Sequence, residues 1–400
     1  MVLAGTYWQI PLIKKLKKMG NWVINVNPYP NSPAFKYADQ YVLLDILDKE
    51  KCLACAQENQ VDAIMSEQCD IANPTVAYVS DRLGLKSIGS EQAELYTNKV
   101  RMREFCQKND FPYPDFKKCS TLEEAKKFFG DVGKEIIIKP LDSNSSRGVY
   151  LIRSVEDLEK NFENAKVYSK IENAVLCERY IHGTEFTVDG IMTDSGHISL
   201  AVSEKRHYAY NMNIASTLFF SNVSTEYDYT LLKKMNDELV NKTCLPFGLT
   251  HAEYKYENGK FILIEIGARG GGNLISSHIV PLMSGVDNYD FLIKKTLGEH
   301  VKVSYKLTDE MKERCAVLKF FDTPNAGGCV KDVKGIQILE KNPNIITYQF
   351  NFKRGDVIKK PENDSARIGF YIAYERQKKE LEELMQLIDE KVVIEYENER

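Results

Sequence analysis

No run of apolar residues in this 400-residue sequence approaches the ~20 that a membrane-spanning helix needs, so nothing in it predicts a bilayer span. A dense Lys/Arg block with interleaved aromatics is also missing. The 53 basic and 57 acidic side chains leave a formal charge of −4, which argues against nucleic acid as a main partner. The six histidines form no His-x-x-x-His pair, and a histidine metal site is not supported. Of the nine cysteines only Cys52 and Cys55 make a C-x-x-C, inside the helix-like run 48–60 and without a second pair at zinc spacing. They read as small buried thiols of a reducing compartment. The dinucleotide fingerprint G-x-G-x-x-G is absent, so NAD is not implied. The opening Met-Val-Leu-Ala-Gly-Thr lacks the basic start and cleavage site of a signal peptide. It reads as a first strand, and a cytoplasmic location is expected.

What is present is too long for one core, since hydrophobic cores stop growing near ~250–300 residues. Two or three domains are expected. The first ninety residues alternate short β-branched runs (2–4, 22–26, 63–65) with amphipathic helical ones (8–19, 49–58, 75–83), the pattern of a small parallel sheet with helices on both faces. A helix over 98–108 is stopped by Phe-Pro-Tyr-Pro at 111–114. A helix (122–129), a strand (135–139), a polar run (142–148) and a strand (149–153) follow. The stretches 175–193 and 252–266 read as antiparallel, the second turning at Glu257-Asn-Gly. Composition turns Lys/Glu-rich over 297–314, and short strands over 316–321 and 368–374 precede a helix over 375–388. The expected division is a Rossmann-like unit 1–95, a central unit 96–298 and a small α+β unit 299–400, of mixed α/β and α+β class.

Several motifs carry chemistry. Ile136-Ile-Ile-Lys139-Pro140 ends an apolar strand with a lysine, which either snorkels to water or meets an anion. Three residues on, Ser143-Asn-Ser-Ser-Arg-Gly148 offers hydroxyls, backbone N–H groups and a glycine suited to wrapping phosphate oxygens, although turns of this composition are also common solvent loops. Glu253 and Glu265 lie on adjacent hairpin strands. Two carboxylates so placed need a cation between them, and hard oxygen ligands suit Mg²⁺ on nucleotide phosphates. Period-2 alternation puts Leu263 and Glu265 on one face. The stretch 263–273, Leu-Ile-Glu-Ile-Gly-Ala-Arg-Gly-Gly-Gly-Asn, then carries Arg269 and three glycines past this pair.

In this order the motifs resemble the ATP-grasp superfamily over nearly the whole chain. The first unit, with Pro33-Ala-Phe-Lys-Tyr-Ala-Asp39, looks like the domain that precedes ATP-grasp in the purine-pathway carboxylases and transformylases. Glu265-x-x-x-Arg269 followed by glycines and Asn273 looks most like bacterial L-amino acid ligases. The resemblance implies ATP and Mg²⁺ as cofactors. Lys99 and Lys139 would contact the α/β-phosphates, and Ser145, Ser146 and Gly148 the β/γ-phosphates. Glu178, Arg179, Tyr180 and Ile181 would form the adenine hinge with Leu263 beneath the ring, and Glu185 would take the ribose hydroxyls. Glu253 and Glu265 would hold the metal, and Arg269 would face the γ-phosphate and the acyl-phosphate oxyanion. One position departs from the pattern. Most of the superfamily has asparagine two residues after the second metal acid, and here that residue is Gly267.

The implied reaction is carboxylate activation as an acyl phosphate, followed by attack of an amine and release of ADP and phosphate. A purine-pathway carboxylase or formate-dependent transformylase acting on a ribonucleotide, and a non-catalytic ATP-binding protein, stay open as alternatives. The expected partners are a small-molecule carboxylate and amine, with neither nucleic acid nor membrane, and a homodimer is the assembly to look for. Glu67, Lys205, Arg206 and His207 are candidate substrate contacts, although each also reads as part of a solvated loop.

Overall fold

The computed structural model describes residues 1–143, 146–170, 172–323 and 327–397. Its first ninety residues build a three-stranded parallel sheet in the order Val2–Leu3, Ile24–Asn27, Gln40–Leu43. The helices Ile10–Lys18, Lys49–Glu58 and Asn73–Leu83 flank it. Asp48 caps the second helix by accepting from the Lys51 N–H, which fixes its start where the sequence reading places it. The third strand differs from expectation. The 63–65 run makes only one bridge, Met65 to Val2, before the chain leaves the sheet. The half-exposed Gln40–Leu43 segment forms the sheet edge instead.

The next unit is a four-stranded antiparallel sheet ordered Phe116–Cys119, Val175–Arg179, Ile136–Pro140, Tyr150–Ile152. The helices Leu122–Val132 and Val155–Lys166 cover one face, burying Ile136 and Ile138 against Ala125, Phe128, Leu158 and Phe162. Strand alternation therefore sends Ile137 and Lys139 to the uncovered face. Thr121 and Glu124 form a reciprocal capping box that starts the first of these helices.

Opposite stands an eight-stranded sheet ordered Lys260–Gly267, Gly248–Glu257, Thr184–Thr193, Gly196–Tyr208, Asn211–Ser221, Cys315–Phe320, Gly369–Glu375, Ile345–Phe350. Its back is packed by the helix Tyr229–Lys242 through Leu232, Leu239 and Val240. His197 is buried there and bonds Asp237 at 2.6 Å and Thr250 at 2.7 Å, a satisfied core histidine. The sheet continues across position 298/299, because Asn211–Ser221 pairs with Cys315–Phe320. A three-stranded sheet (Val357–Ile358, Gly328–Lys334, Val393–Tyr396) and the helix Lys378–Lys391 complete the described chain. The fold is thus of the expected class: a small parallel sheet, two antiparallel sheets facing each other, and a closing α+β region.

The reading of 175–193 as one antiparallel unit is corrected. Val175–Arg179 lies in the four-stranded sheet and Thr184–Thr193 in the eight-stranded one, so residues 180–183 cross from one jaw to the other. Cys52 and Cys55 are buried and unbridged as expected, but Cys244 is exposed. Among the described residues no helix is long and apolar enough to cross a membrane.

Candidate active site

Between the two facing sheets lies a cleft into which both sheets send charged side chains. From the four-stranded sheet come Lys139 and Glu178, 2.6 Å apart and only 6% and 3% exposed. Glu178 also accepts from Arg103 Nε, whose side chain is 1% exposed. Burial opposes ionisation of Glu178, but the Arg103 guanidinium and Lys139 ammonium outweigh it and hold the carboxyl below its usual range. The helix Lys99–Lys108, capped by Asn98, presents Lys99 and Arg103 on one face at i,i+4 spacing. Lys99 Nζ meets Glu265 at 2.9 Å and donates to the Ser143 carbonyl at 2.7 Å.

From the eight-stranded sheet, Lys205 Nζ bridges Glu185 at 2.6 Å and Glu253 at 3.1 Å, and His207 reaches Glu185 at 3.3 Å. Burial pushes the Glu185 carboxyl up, yet Lys205 and His207 bring it down to about 2. Burial likewise opposes the charge on Glu253, and Lys205 with His251 holds that carboxyl well below its ordinary range. Both acids are therefore anions at neutral pH. Glu253 and Glu265 are direct cross-strand partners.

At the crossing between the jaws, Arg179 grips Glu257 through both oxygens at 3.2 and 2.8 Å, and the His182 N–H donates to Glu257 at 2.7 Å. Lys255 stacks over the Tyr180 ring at 4.4 Å and donates to the Ile181 carbonyl at 3.1 Å.

The cleft thus gathers Lys99, Lys139, Ser146, Glu178, Arg179, Tyr180, Ile181, Glu185, Glu253 and Glu265. Ser145 lies outside the described residues. Gly148 does not line the cleft; it sits with φ +73° where a side chain would strike Pro140 and Tyr168. Leu263 is a correction. It is 1% exposed in the core behind the eight-stranded sheet, while Ile264 lines the cleft. The pairing jumps from Glu253–Glu265 to Tyr254–Leu263, so Ile264 is the extra residue of a β-bulge that breaks the alternation. Arg103 Nη2 donates to the Ile264 carbonyl at 2.5 Å. Arg269 stands beyond the cleft, where the first ninety residues meet the eight-stranded sheet. Of the candidate substrate contacts, Lys205 and His207 line the cleft, Arg206 is turned outward at 52% exposure, and Glu67 is buried beside Arg269. Sequence reasoning missed Arg103 and Lys255. The i,i+4 relation of Arg103 to Lys99 and the i,i+2 relation of Lys255 to Glu253 were the available signals.

Two cross-strand carboxylates fit Mg²⁺, which usually takes one or two protein carboxylates and completes its octahedron with water and phosphate oxygens. The cations now bonded to them, Lys99 and Lys205, are the charges that a divalent ion would free for phosphate. Among the described residues no cluster of three or more His, Cys, Asp or Glu is placed to hold a metal.

Residues 132–278 match the ATP-grasp domain family, and residues 320–397 match L-amino acid ligase C-terminal domain 2. The chain thus carries an ATP-grasp domain followed by an L-amino acid ligase C-terminal domain. An L-amino acid ligase from Bacillus licheniformis superposes on this ATP-grasp chain with a TM-score of 0.82 at 18% identity, over 99% of this chain and 98% of that one. The biotin carboxylase domain of the 2-oxoglutarate carboxylase from Hydrogenobacter thermophilus, solved with MgADP, ADP and bicarbonate, gives a TM-score of 0.75 at 18% identity, over 98% and 90% of the two chains. A formate-dependent phosphoribosylglycinamide formyltransferase from Flavobacterium psychrophilum is 28% identical over 151 residues, 37% of this chain. The match spans 39% of that relative's length.

Glu67 is 1% exposed. Its Oε1 accepts from the N–H groups of Gly270 (2.8 Å) and Gln68 (3.1 Å) and from Ser276 (3.2 Å), while burial pushes the carboxyl up from 4.5 to about 7. Because the folded value lies above the unfolded one, the native state takes up a proton between them. Stability therefore declines as pH rises from 4.5 to about 7 and levels off above. Glu67→Gln keeps the acceptor oxygen and removes the titration. In urea unfolding, the variant should match the parent below pH 4.5 and exceed it by about 2–4 kcal/mol above pH 7. Parallel pH profiles for the two proteins contradict the assignment.

Proposed function

We propose that this chain is an ATP-dependent ligase that activates a small carboxylate as an acyl phosphate and joins it to an amine, releasing ADP and phosphate. The observation that carries the reading is the cross-strand Glu253–Glu265 pair, bonded to Lys99 and Lys205, with Lys139 lining the same cleft. Bound there, Mg²⁺ supplies charge neutralisation on the phosphates, with Glu253 and Glu265 as its protein ligands. Lys99 and Lys139 would contact the α/β-phosphates, and Ser145, Ser146 and Gly148 the β/γ-phosphates. The crossing residues Glu178, Arg179, Tyr180 and Ile181 hold the base, Ile264 takes the place below the ring, and Glu185 holds the ribose hydroxyls. Arg269 stabilises negative charge on the transferring phosphoryl group and on the acyl-phosphate oxyanion. The protein's contribution is orientation and preorganised charge, and no covalent nucleophile is needed.

The functional division is a preceding unit 1–95, an ATP-grasp unit 96–298 and a closing unit 299–400, acting on small molecules in the cytoplasm. A ribonucleotide substrate would need a free basic cluster for its phosphate. Lys15 and Lys17 of the first long helix are instead ion-paired to Asp287 and Asp39, and Lys14 lies over the Tyr37 ring, which supports the amino acid ligase reading over the purine-pathway one.

The test is phosphate release from Mg-ATP with the L-amino acids supplied singly and in pairs. The expected result is ADP and phosphate in equal amounts, matched by a new amide bond. AMP and pyrophosphate as products would overturn the mechanism.

A further inference from the structure

Gly267 and Arg269 share an arrangement that the proposed chemistry leaves unused. A Cβ on Gly267 would stand 2.5 Å from Asp70 Oδ1, so any side chain at 267 would displace the carboxylate of Asp70 from its present position. That carboxylate comes from the other side of the interface, at the start of the short turn Asp70–Ala72. Both its oxygens lie 3.0 Å from Arg269 Nε, and Oδ2 also lies 3.0 Å from Arg269 Nη2. Arg269 Nη1 donates to the Gly270 carbonyl at 3.0 Å. The same segment holds the backbone around the arginine: Asn73 donates to the Ala268 carbonyl at 3.2 Å, and Glu67 accepts from the Gly270 N–H at 2.8 Å.

We propose that Asp70 is a positioning residue for Arg269, and that glycine at 267 serves to admit it. The inference rests on the reading of Arg269 given above. An arginine side chain has several rotatable bonds, and a planar guanidinium is fixed most firmly by a carboxylate that takes two of its N–H groups. Asp70 occupies the Nε–H and one Nη2–H, and the Gly270 carbonyl occupies one Nη1–H. Of the five donors, one on each Nη is left for an anion. The first ninety residues thereby set the direction of a cation carried by the eight-stranded sheet, and the residue that makes this possible is an absent side chain two positions after Glu265.

The test uses MgADP with and without aluminium fluoride, a mimic of the transferring phosphoryl group, in calorimetric titrations of the full chain. Fluoride should tighten MgADP binding to the parent protein, and Arg269→Ala should lose that gain. Asp70→Ala should lose about 10- to 100-fold of the fluoride-dependent affinity, in the range seen when a supporting partner of a charged ligand is removed. MgADP alone should stay within about twofold, a split that a merely structural role does not produce. Asp70→Ala/Arg269→Ala should be no weaker than Arg269→Ala, because the two residues act as one unit. Asp70→Asn, which keeps the shape, should fall between parent and alanine variant. Gly267→Ala should reproduce the Asp70→Ala loss with both partners intact. An Asp70→Ala protein that keeps the fluoride gain, or losses that multiply in the double variant, overturns the inference while leaving the role of Arg269 standing. Weakened MgADP binding that extra magnesium restores overturns it by making Asp70 a metal ligand. A parent protein that binds no MgADP overturns the functional reading itself.

Discussion

Glu265→Gln and Arg269→Ala should lose activity in different ways, although only three residues separate them. Glu265 faces the cleft, is 44% exposed and pairs with Lys99 and, across the strands, with Glu253. Its amide variant removes one negative charge from the pair assigned to the metal, so Mg-ATP affinity and turnover should fall together, and raising magnesium should recover part of the loss. Arg269 lies outside the cleft and keeps its charge, since the Asp70 carboxylate more than offsets its burial. Its alanine variant should leave Mg-ATP affinity nearly intact and slow single-turnover phosphate release by about 10²–10³-fold, the usual cost of removing one preorganised donor to developing charge. An arginine that only ties the first ninety residues to the eight-stranded sheet predicts less than about tenfold. Calorimetry and rapid-quench measurements on the two variants separate these outcomes.

The second large effect is on stability. Glu178→Ala strands Arg103 and Lys139, two cations that are 1% and 6% exposed. Removing one partner of such a buried group leaves uncompensated charge and costs about 3–5 kcal/mol, to be read as a lower unfolding free energy in urea. Replacing all three with apolar residues, Arg103→Met, Lys139→Met and Glu178→Leu, should regain most of that stability, because well-packed apolar groups substitute adequately for buried ion pairs. The same triple variant should bind no nucleotide. A triple variant as unstable as Glu178→Ala contradicts the buried ion-pair account of this triad, and one that still binds Mg-ATP contradicts the assignment of Lys139 and Glu178 to the nucleotide site.

Much of this site was legible where local rules and tertiary structure agree. The Ile-Ile-Ile-Lys-Pro run shows strand alternation as built: Ile136 and Ile138 pack under helices, and Ile137 and Lys139 face the cleft. Glu253 and Glu265 were placed as neighbours by the short turn at Asn258-Gly259, and the register agrees. The failures arise where one residue breaks a period or where distant segments meet. A single bulged residue, Ile264, sends Leu263 into the core, and period-2 counting has no way to register an insertion. The crossing at 180–183 reads locally as a hairpin loop, because strands of opposite jaws and strands of one hairpin share the same short polar connection. Asp70 gives no local signal. Its partner is 199 residues away, and what admits it is the lack of a side chain at 267. The continuation of the eight-stranded sheet past 298/299 is equally non-local, since it depends on strand pairing across ~100 residues of intervening chain.

In the proposed reaction a carboxylate oxygen of the substrate attacks the γ-phosphorus of ATP. With the substrate pair selected by the phosphate-release screen, the carboxylate is labelled with ¹⁸O in both oxygens, and the phosphate is examined by mass spectrometry. The account predicts one ¹⁸O in each phosphate released and one retained in the new amide. Unlabelled phosphate, or label recovered in AMP, would contradict it.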